Sequence, residues 1–293
     1  MHGALGQVAG TGALRLGLDD HEVARTELAR ALLRGDLTSA ECAAQLMIHA
    51  GFPLTRLYGE VIQRLLDEVG HRWQLGGLRI ADEHFCSTTI MELIARLAAR
   101  PPALPPNRGT VLLVAPPGER HLIGLEMLRH VLREQGWSVS RPDALPLAEL
   151  AAYARHLRDV RVIGLTVHDA ARLPPLREGI GELKLALPRV PVILGGLAQR
   201  RNPRAWQQIG ADGGGEDLAG ALRLVSRLTN PLTARELEVL ASASQGRTNE
   251  EIALGLGVNV STVKTHLEHV YEKVGVRDRA ASVAAALRRG WMP

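Results

Sequence analysis

Between residues 101 and 107 the chain reads PPALPPN. Four prolines in seven residues lack the amide hydrogens that a helix or a central strand needs, so the segments on either side must fold separately. The apolar pattern changes at the same place. From Asp20 to Arg100 apolar residues return every three or four positions: Leu28, Ala31 and Leu32, then Ile62, Leu65, Leu66 and Val69, then Ile90, Leu93, Ile94 and Leu97. That is a helical period, and Gly35, Gly51 with Pro53, and the stretch from Gly70 to Gly77 divide it into about four helices. The expectation is a flexible tail over residues 1–20, an all-α four-helix bundle over 21–100 and a proline-rich linker over 101–108.

After residue 108 short β-branched runs alternate with amphipathic stretches. The runs are TVLLVA (110–115), WSVS (137–140), VRVIGLTV (160–167) and VPVILGG (190–196), with a weaker fifth near Gly210 to Gly213. This alternation predicts an α/β, flavodoxin-like, doubly wound parallel sheet over 109–226, which takes ligands at the carboxyl ends of its strands. LTNPL (228–232) marks a second linker, 227–232, and the closely spaced helices of 233–293 form an all-α module. The chain is multidomain.

Composition mostly excludes. No apolar run approaches membrane-spanning length, and the opening MHGALGQVAGTGALRLGLDD has no secretory pattern, so the expected location is cytoplasmic, without a membrane partner. Cys42 and Cys86 lack metal spacing and read as free thiols. A Ser-His-Asp arrangement, a phosphate-binding loop and a zinc spacing are all missing, so no enzyme and no catalytic residues are expected. The net charge of +4 permits a nucleic-acid partner without requiring one. Its distribution is more telling: only three of 35 basic residues are lysines, Lys184, Lys264 and Lys273, and two of these fall in the last module.

In that module Thr233 with Glu236, and Thr248 with Glu251, have capping-box spacing. Asn259 and Asp278 suit N-caps, and Gly257 falls where a helix-turn-helix corner needs a left-handed residue. On the third helix Val263, Leu267, Val270 and Val274 make one apolar stripe, while Lys264, Thr265 and Glu268 face away. Such a helix has the shape that enters a major groove, although periodicity alone fits an ordinary solvated face equally well. Leu232-Thr233 with Arg235-Glu236, Asn249 to Ala253, Thr262-Val263-Lys264-Thr265-His266, and Lys273 with Gly275-Val276-Arg277 together resemble the LuxR-type helix-turn-helix DNA-binding domain. The resemblance implies a double-stranded DNA operator, with Lys264 and Thr265 reaching bases and Thr262 and Lys273 near phosphates. Glu268 departs from the amide or cation frequent in relatives; it could accept from a cytosine amine or face water.

In the first strand-to-helix loop of the sheet, Glu119, His121 and Gly124 have the spacing Glu-x-His-x-x-Gly. Alone this is weak, since a loop histidine is more often a surface residue than a ligand. Thr166 follows after 41 intervening residues at the end of one strand, and Gly195-Gly196 follows His168 after 26 intervening residues at the end of the next. These positions resemble the motif of base-off cobalamin-binding proteins. The resemblance implies cobalamin as cofactor and His121 as the lower cobalt ligand, displacing the cofactor's own dimethylbenzimidazole. It also implies that Glu119 holds the other ring nitrogen, that Thr166 bonds the displaced base, and that Gly195-Gly196 leave room for the nucleotide tail. Without a ligand, two glycines there make a plain strand-ending turn.

In the bundle, Trp73 is followed after nine residues by Glu83-His84 in the string RWQLGGLRIADEHFCS. A lone Trp is usually core and a Glu-His pair usually solvated. This string nevertheless resembles the upper-face cap of the CarH family of adenosylcobalamin photoreceptors, in which the Trp and the Glu-His pair cover the adenosyl group. The likeness runs from about residue 25 to 225. Two departures stand out: those sensors carry a histidine directly after the Trp, where this chain has Gln74, and a different DNA-binding domain at the other terminus. His84, His71 and Cys86 are then the side chains available to cobalt once the adenosyl group has left, beside water. The leading expectation is a cobalamin-dependent transcription regulator, a homo-oligomer whose assembly and DNA binding respond to light through adenosylcobalamin. A light-independent sensor of cobalamin level is the alternative, and a corrinoid carrier for a methyltransferase is a third.

Overall fold

The computed structural model describes residues 18–292, with side chains from residue 22 onward. Of the expected tail, residues 1–17 lie outside the described residues, and residues 18–20 already belong to the first helix. The chain divides into two compact units between Pro101 and Pro102, inside the proline run.

The first unit is all-α: α1 (Leu18–Arg34), α2 (Leu37–His49), α3 (Leu54–Arg56), α4 (Gln63–Gln74) and α5 (Ile80–Ala98). A π-helical stretch, Leu57–Ile62, joins α3 to α4, so that four rods result from the four expected helices. Leu28, Leu32, Ala44, Met47, Tyr58, Ile62, Ile90 and Leu93 fill the core with almost no exposure. Asp36 caps α2 by accepting from the Ser39 amide. The preceding Gly35 has φ +72° and lies under the Phe85 ring, so any side chain there would be strained and would strike that ring.

In the second unit the strands β1 (Thr110–Val114), β2 (Ser138–Ser140), β3 (Val160–Thr166), β4 (Val192–Gly195) and β5 (Gly213–Gly214) are all parallel, in the order β2-β1-β3-β4-β5. This is the flavodoxin-like order, with its switch point between β1 and β3. The fifth strand is shorter and slightly later than its sequence suggested. The connections are α6 (Ile123–Glu134), α7 (Leu147–Arg155), a 3₁₀ turn (Ala170–Arg172), α8 (Leu176–Ala186), α9 (Leu197–Arg201), α10 (Ala205–Gln208) and α11 (Leu218–Leu228). Leu112, Val114, Ile163, Leu165, Val192 and Leu194 pack from the strands against Leu150, Ile180 and Leu183 of the helices.

The last four helices are α12 (Ala234–Ser244), α13 (Asn249–Leu256), α14 (Val260–Val274) and α15 (Arg279–Arg288). Both capping boxes form, and Asp278 accepts from the Ala281 amide. Asn259 holds the N-cap position of α14, but its side chain makes no cap bond. Gly257 turns the corner at φ +63°. Val263, Leu267, Val270 and Val274 are buried, as their spacing requires.

This module also touches the sheet domain. The Ser226 hydroxyl of α11 donates to the Arg289 carbonyl just past α15, and an Arg108 guanidinium nitrogen reaches the same oxygen at 3.3 Å. Arg108 lies 4.6 Å over the Trp137 ring. Burial, then the charge of Arg289, brings Arg108 down to about 10, which leaves it charged at neutral pH.

Candidate functional site

The loop after β1 carries Glu119 and His121 to the carboxyl end of the sheet, where α6 begins two residues later. Gly124 lies inside α6 rather than in the loop. The Glu119 side chain is 3% exposed, an expensive place for a carboxylate unless donors surround it. They do. One oxygen accepts from the Arg120 and His121 amides, both at 2.9 Å, and from His121 Nδ1 at 2.8 Å. The other accepts from the His168 amide at 2.9 Å, with an Arg172 nitrogen 3.9 Å away. Burial pushes the Glu119 carboxyl up, but the two histidine amides and the His121 ring outweigh it and hold the group below its usual range.

A carboxylate can only accept, so the neutral His121 ring carries its proton on Nδ1 and presents a lone pair at Nε2. The His121 side chain is 61% exposed. His168, a spacing landmark in the sequence, stacks on it: ring centroids are 3.4 Å apart and the planes 13° from parallel. Burial and then the neighbouring His121 charge hold His168 below its ordinary value.

Thr166 and Gly195 face each other as the last paired residues of β3 and β4, and Thr166 is nearly buried. The two glycines differ. Gly196 has φ +90°, and a Cβ there would drive into the Val167 backbone and come within 2.9 Å of Thr166 Oγ1, so the chain itself demands glycine. At Gly195 a Cβ would meet only the Leu165 carbonyl at 3.8 Å, and at Gly124 nothing within 4 Å. Those two glycines answer to no need of the surrounding protein.

In the helical unit Trp73 is not core: it is 45% exposed near the end of α4, and Leu75, Ile80 and Phe85 are exposed close by in sequence. Glu83 on α5 accepts from Ser87 Oγ at 2.7 Å and lies 2.8 Å from His84 Nδ1, which also reaches the Ile80 carbonyl at 3.0 Å. Cys86 is buried, and burial followed by the Glu83 charge raises its thiol to about 11. It is a core thiol in this structure, whereas His71 and His84 are exposed.

On α14 Lys264, Thr265 and Glu268 are exposed and Thr262 is half-buried. Thr265 Oγ1 donates back to the Ser261 carbonyl at 3.1 Å. Lys273, expected near a phosphate, has a partner within the protein. Its Nζ bonds both oxygens of buried Glu236, at 2.8 and 2.7 Å, and so ties α14 to the capped start of α12. Neither this pair nor the His121–His168 stack is legible in the sequence, because each joins residues far apart along the chain.

The comparisons with known proteins follow this division. A B12 binding domain model matches residues 24–98, a second matches 109–223, and the luxR family of bacterial regulatory proteins matches 230–286. The probable transcriptional regulatory protein NarL of Mycobacterium tuberculosis is 34% identical over 172 residues, 56% of this chain and 77% of that protein. The chain belongs to the luxR family of bacterial regulatory proteins. This luxR-family chain also shares 46% identity over 63 residues with the uncharacterized transcriptional regulatory protein YxjL of Bacillus subtilis, 22% of the chain and 29% of that protein. In fold it is similar to the monomethylamine corrinoid protein of Methanosarcina barkeri, with a TM-score of 0.60 at 14% identity over 70% of this chain and 97% of that one. The luxR-family module is thus fused to a bundle and sheet of the B12-binding type. Among the described residues no helix is long and apolar enough to cross a membrane.

Proposed function

We propose that this chain is a DNA-binding regulator that reads the state of a bound adenosylcobalamin, with light as its signal. The observation that carries the reading is the Glu119–His121 pair: a buried carboxylate fixes the imidazole tautomer and leaves Nε2 as a free donor at the ligand-binding end of the sheet. The surroundings fit the cofactor, because Gly124 and Gly195 keep backbone open where the protein has no use for a glycine. In this reading His121 is the lower cobalt ligand, Thr166 holds the displaced base, and Gly195 with Gly196 line the tail. Trp73, Glu83 and His84 are assigned to the adenosyl group. Lys264 and Thr265 read bases, Thr262 approaches phosphate, and Glu268 accepts from a cytosine amine or faces water.

Adenosylcobalamin supplies a cobalt–carbon bond that light can cleave. The protein's part is to hold a shape while that bond is intact and to relax when it is not, through the exposed apolar residues around Trp73. Gln74 favours a second reading, a light-independent cobalamin sensor, because a neutral amide is a weak cobalt ligand beside imidazole.

The test loads the full chain with adenosylcobalamin in the dark and follows absorption, size-exclusion volume and operator footprint before and after green light. All three are expected to change, and His121→Ala to bind cobalamin weakly without a histidine-ligated spectrum. Unchanged size and footprint under light, with cobalamin bound through His121, give the function to the light-independent sensor.

A further inference from the structure

Glu119 fixes two histidines at once, the ring of His121 through one oxygen and the backbone of His168 through the other. The consequence is that two imidazoles meet face to face at 3.4 Å, one from the loop after β1 and one from the residues after β3. The frame beneath is stiff. Val167 donates to the Gly195 carbonyl at 3.1 Å and accepts from the Ala198 amide at 3.1 Å, so the segment bearing His168 is stitched to β4 and α9. Arg172, in the turn just beyond, bonds the Pro117 carbonyl and closes the other side.

A single hydrogen bond at Nδ1 tolerates a broad range of angles, so it leaves the His121 ring able to tilt by rotation about its Cβ–Cγ bond. A metal bond to imidazole lies in the ring plane, so the tilt decides where the Nε2 lone pair aims. We propose that His168 is a positioning residue whose flat face sets the plane of the His121 ring and thereby the direction of its cobalt-ligating lone pair. This rests on His121 being the lower ligand. It adds a part of the site contributed by β3, which supplies a surface and no donor atom.

The distinction between face and donor makes the proposal testable. His168→Phe and His168→Tyr keep a flat ring and lose both imidazole nitrogens, whereas His168→Ala removes the face. In the cofactor-free protein, the carbon-bound ring protons of His121 are expected to move downfield in His168→Ala, as the stacked ring current is lost, and to remain upfield in the Phe and Tyr variants. With hydroxocobalamin, His168→Ala is expected to weaken binding on the order of tenfold, the size typical of losing a support behind a metal ligand. After one-electron reduction of the bound cobalamin with dithionite, it is also expected to broaden the imidazole nitrogen coupling in the Co(II) electron paramagnetic resonance spectrum, with either aromatic variant restoring both. Unchanged His121 resonances in His168→Ala overturn the proposal, and so does a failure of both aromatic variants to rescue, which would mean that His168 acts through a nitrogen. Failure of the ligand assignment shows elsewhere: His121→Ala would keep the wild-type cobalamin spectrum, while the ring-proton experiment needs no cofactor at all.

Discussion

His130 on α6 illustrates how one side chain sets a pH limit. Its side chain is 7% exposed, and burial, then the charges of Arg133 and Arg129, lowers it to about 4. In the unfolded chain the same ring takes a proton near pH ~6.5. The folded state refuses that proton, so its stability is full above pH ~6.5 and falls as the pH drops toward the folded value, by about 3 kcal/mol at most. Urea midpoints between pH 7 and 4 should therefore fall less steeply for His130→Gln than for wild type; parallel curves would take His130 out of the acid response. Gly195 gives a second single-residue prediction. Because a Cβ there would meet only the Leu165 carbonyl, Gly195→Ala is expected to fold normally, with cobalamin affinity reduced about tenfold. A variant that binds as well as wild type would show that the space is not used by the ligand.

At the scale of elements, α12 and α14 are joined by an ion pair whose lysine the sequence resemblance had placed near a phosphate. Glu236 completes the α12 capping box through the Thr233 amide at 2.8 Å and takes Lys273 on both oxygens. Burial raises its carboxyl, but the Lys273 bond and the Thr233 bonds hold it below the usual range. Lys273→Met should destabilise the module by about 1–2 kcal/mol, less than for a fully enclosed pair because the lysine is partly exposed. The slope of DNA affinity against salt should stay unchanged, whereas losing a phosphate contact would reduce it by about one unit. The helix boundaries of this module were readable because capping is local: Thr233, Thr248 and Asp278 each bond within three residues. The doubly wound parallel sheet was readable from strands alternating with helices, whereas the order of its strands is a finding of the structure. Lys273 with Glu236, and His121 with His168, were not readable either, since no periodicity encodes which distant side chains the fold will bring face to face.

For the molecule as a whole, the α14 residues proposed to read bases and the contacts that hold the module to the sheet domain lie on different elements, so docking leaves Lys264 and Thr265 exposed. Arg108→Ala combined with Ser226→Ala removes both donors to the Arg289 carbonyl. Each lost bond is worth about 0.5–1.5 kcal/mol. The double variant should separate a single thermal transition into two, with faster proteolysis between α11 and α12; one undivided transition would show that the contact does not couple the domains. The Ser226–Arg289 bond has a geometric consequence as well. The chain leaves the sheet domain through the last turn of α11 and, after four helices, is fastened back to that same turn. Entry and exit share one pivot. The last module is therefore closed on one helix turn at both of its ends, so that a rotation of α11 would carry its first and last residues together.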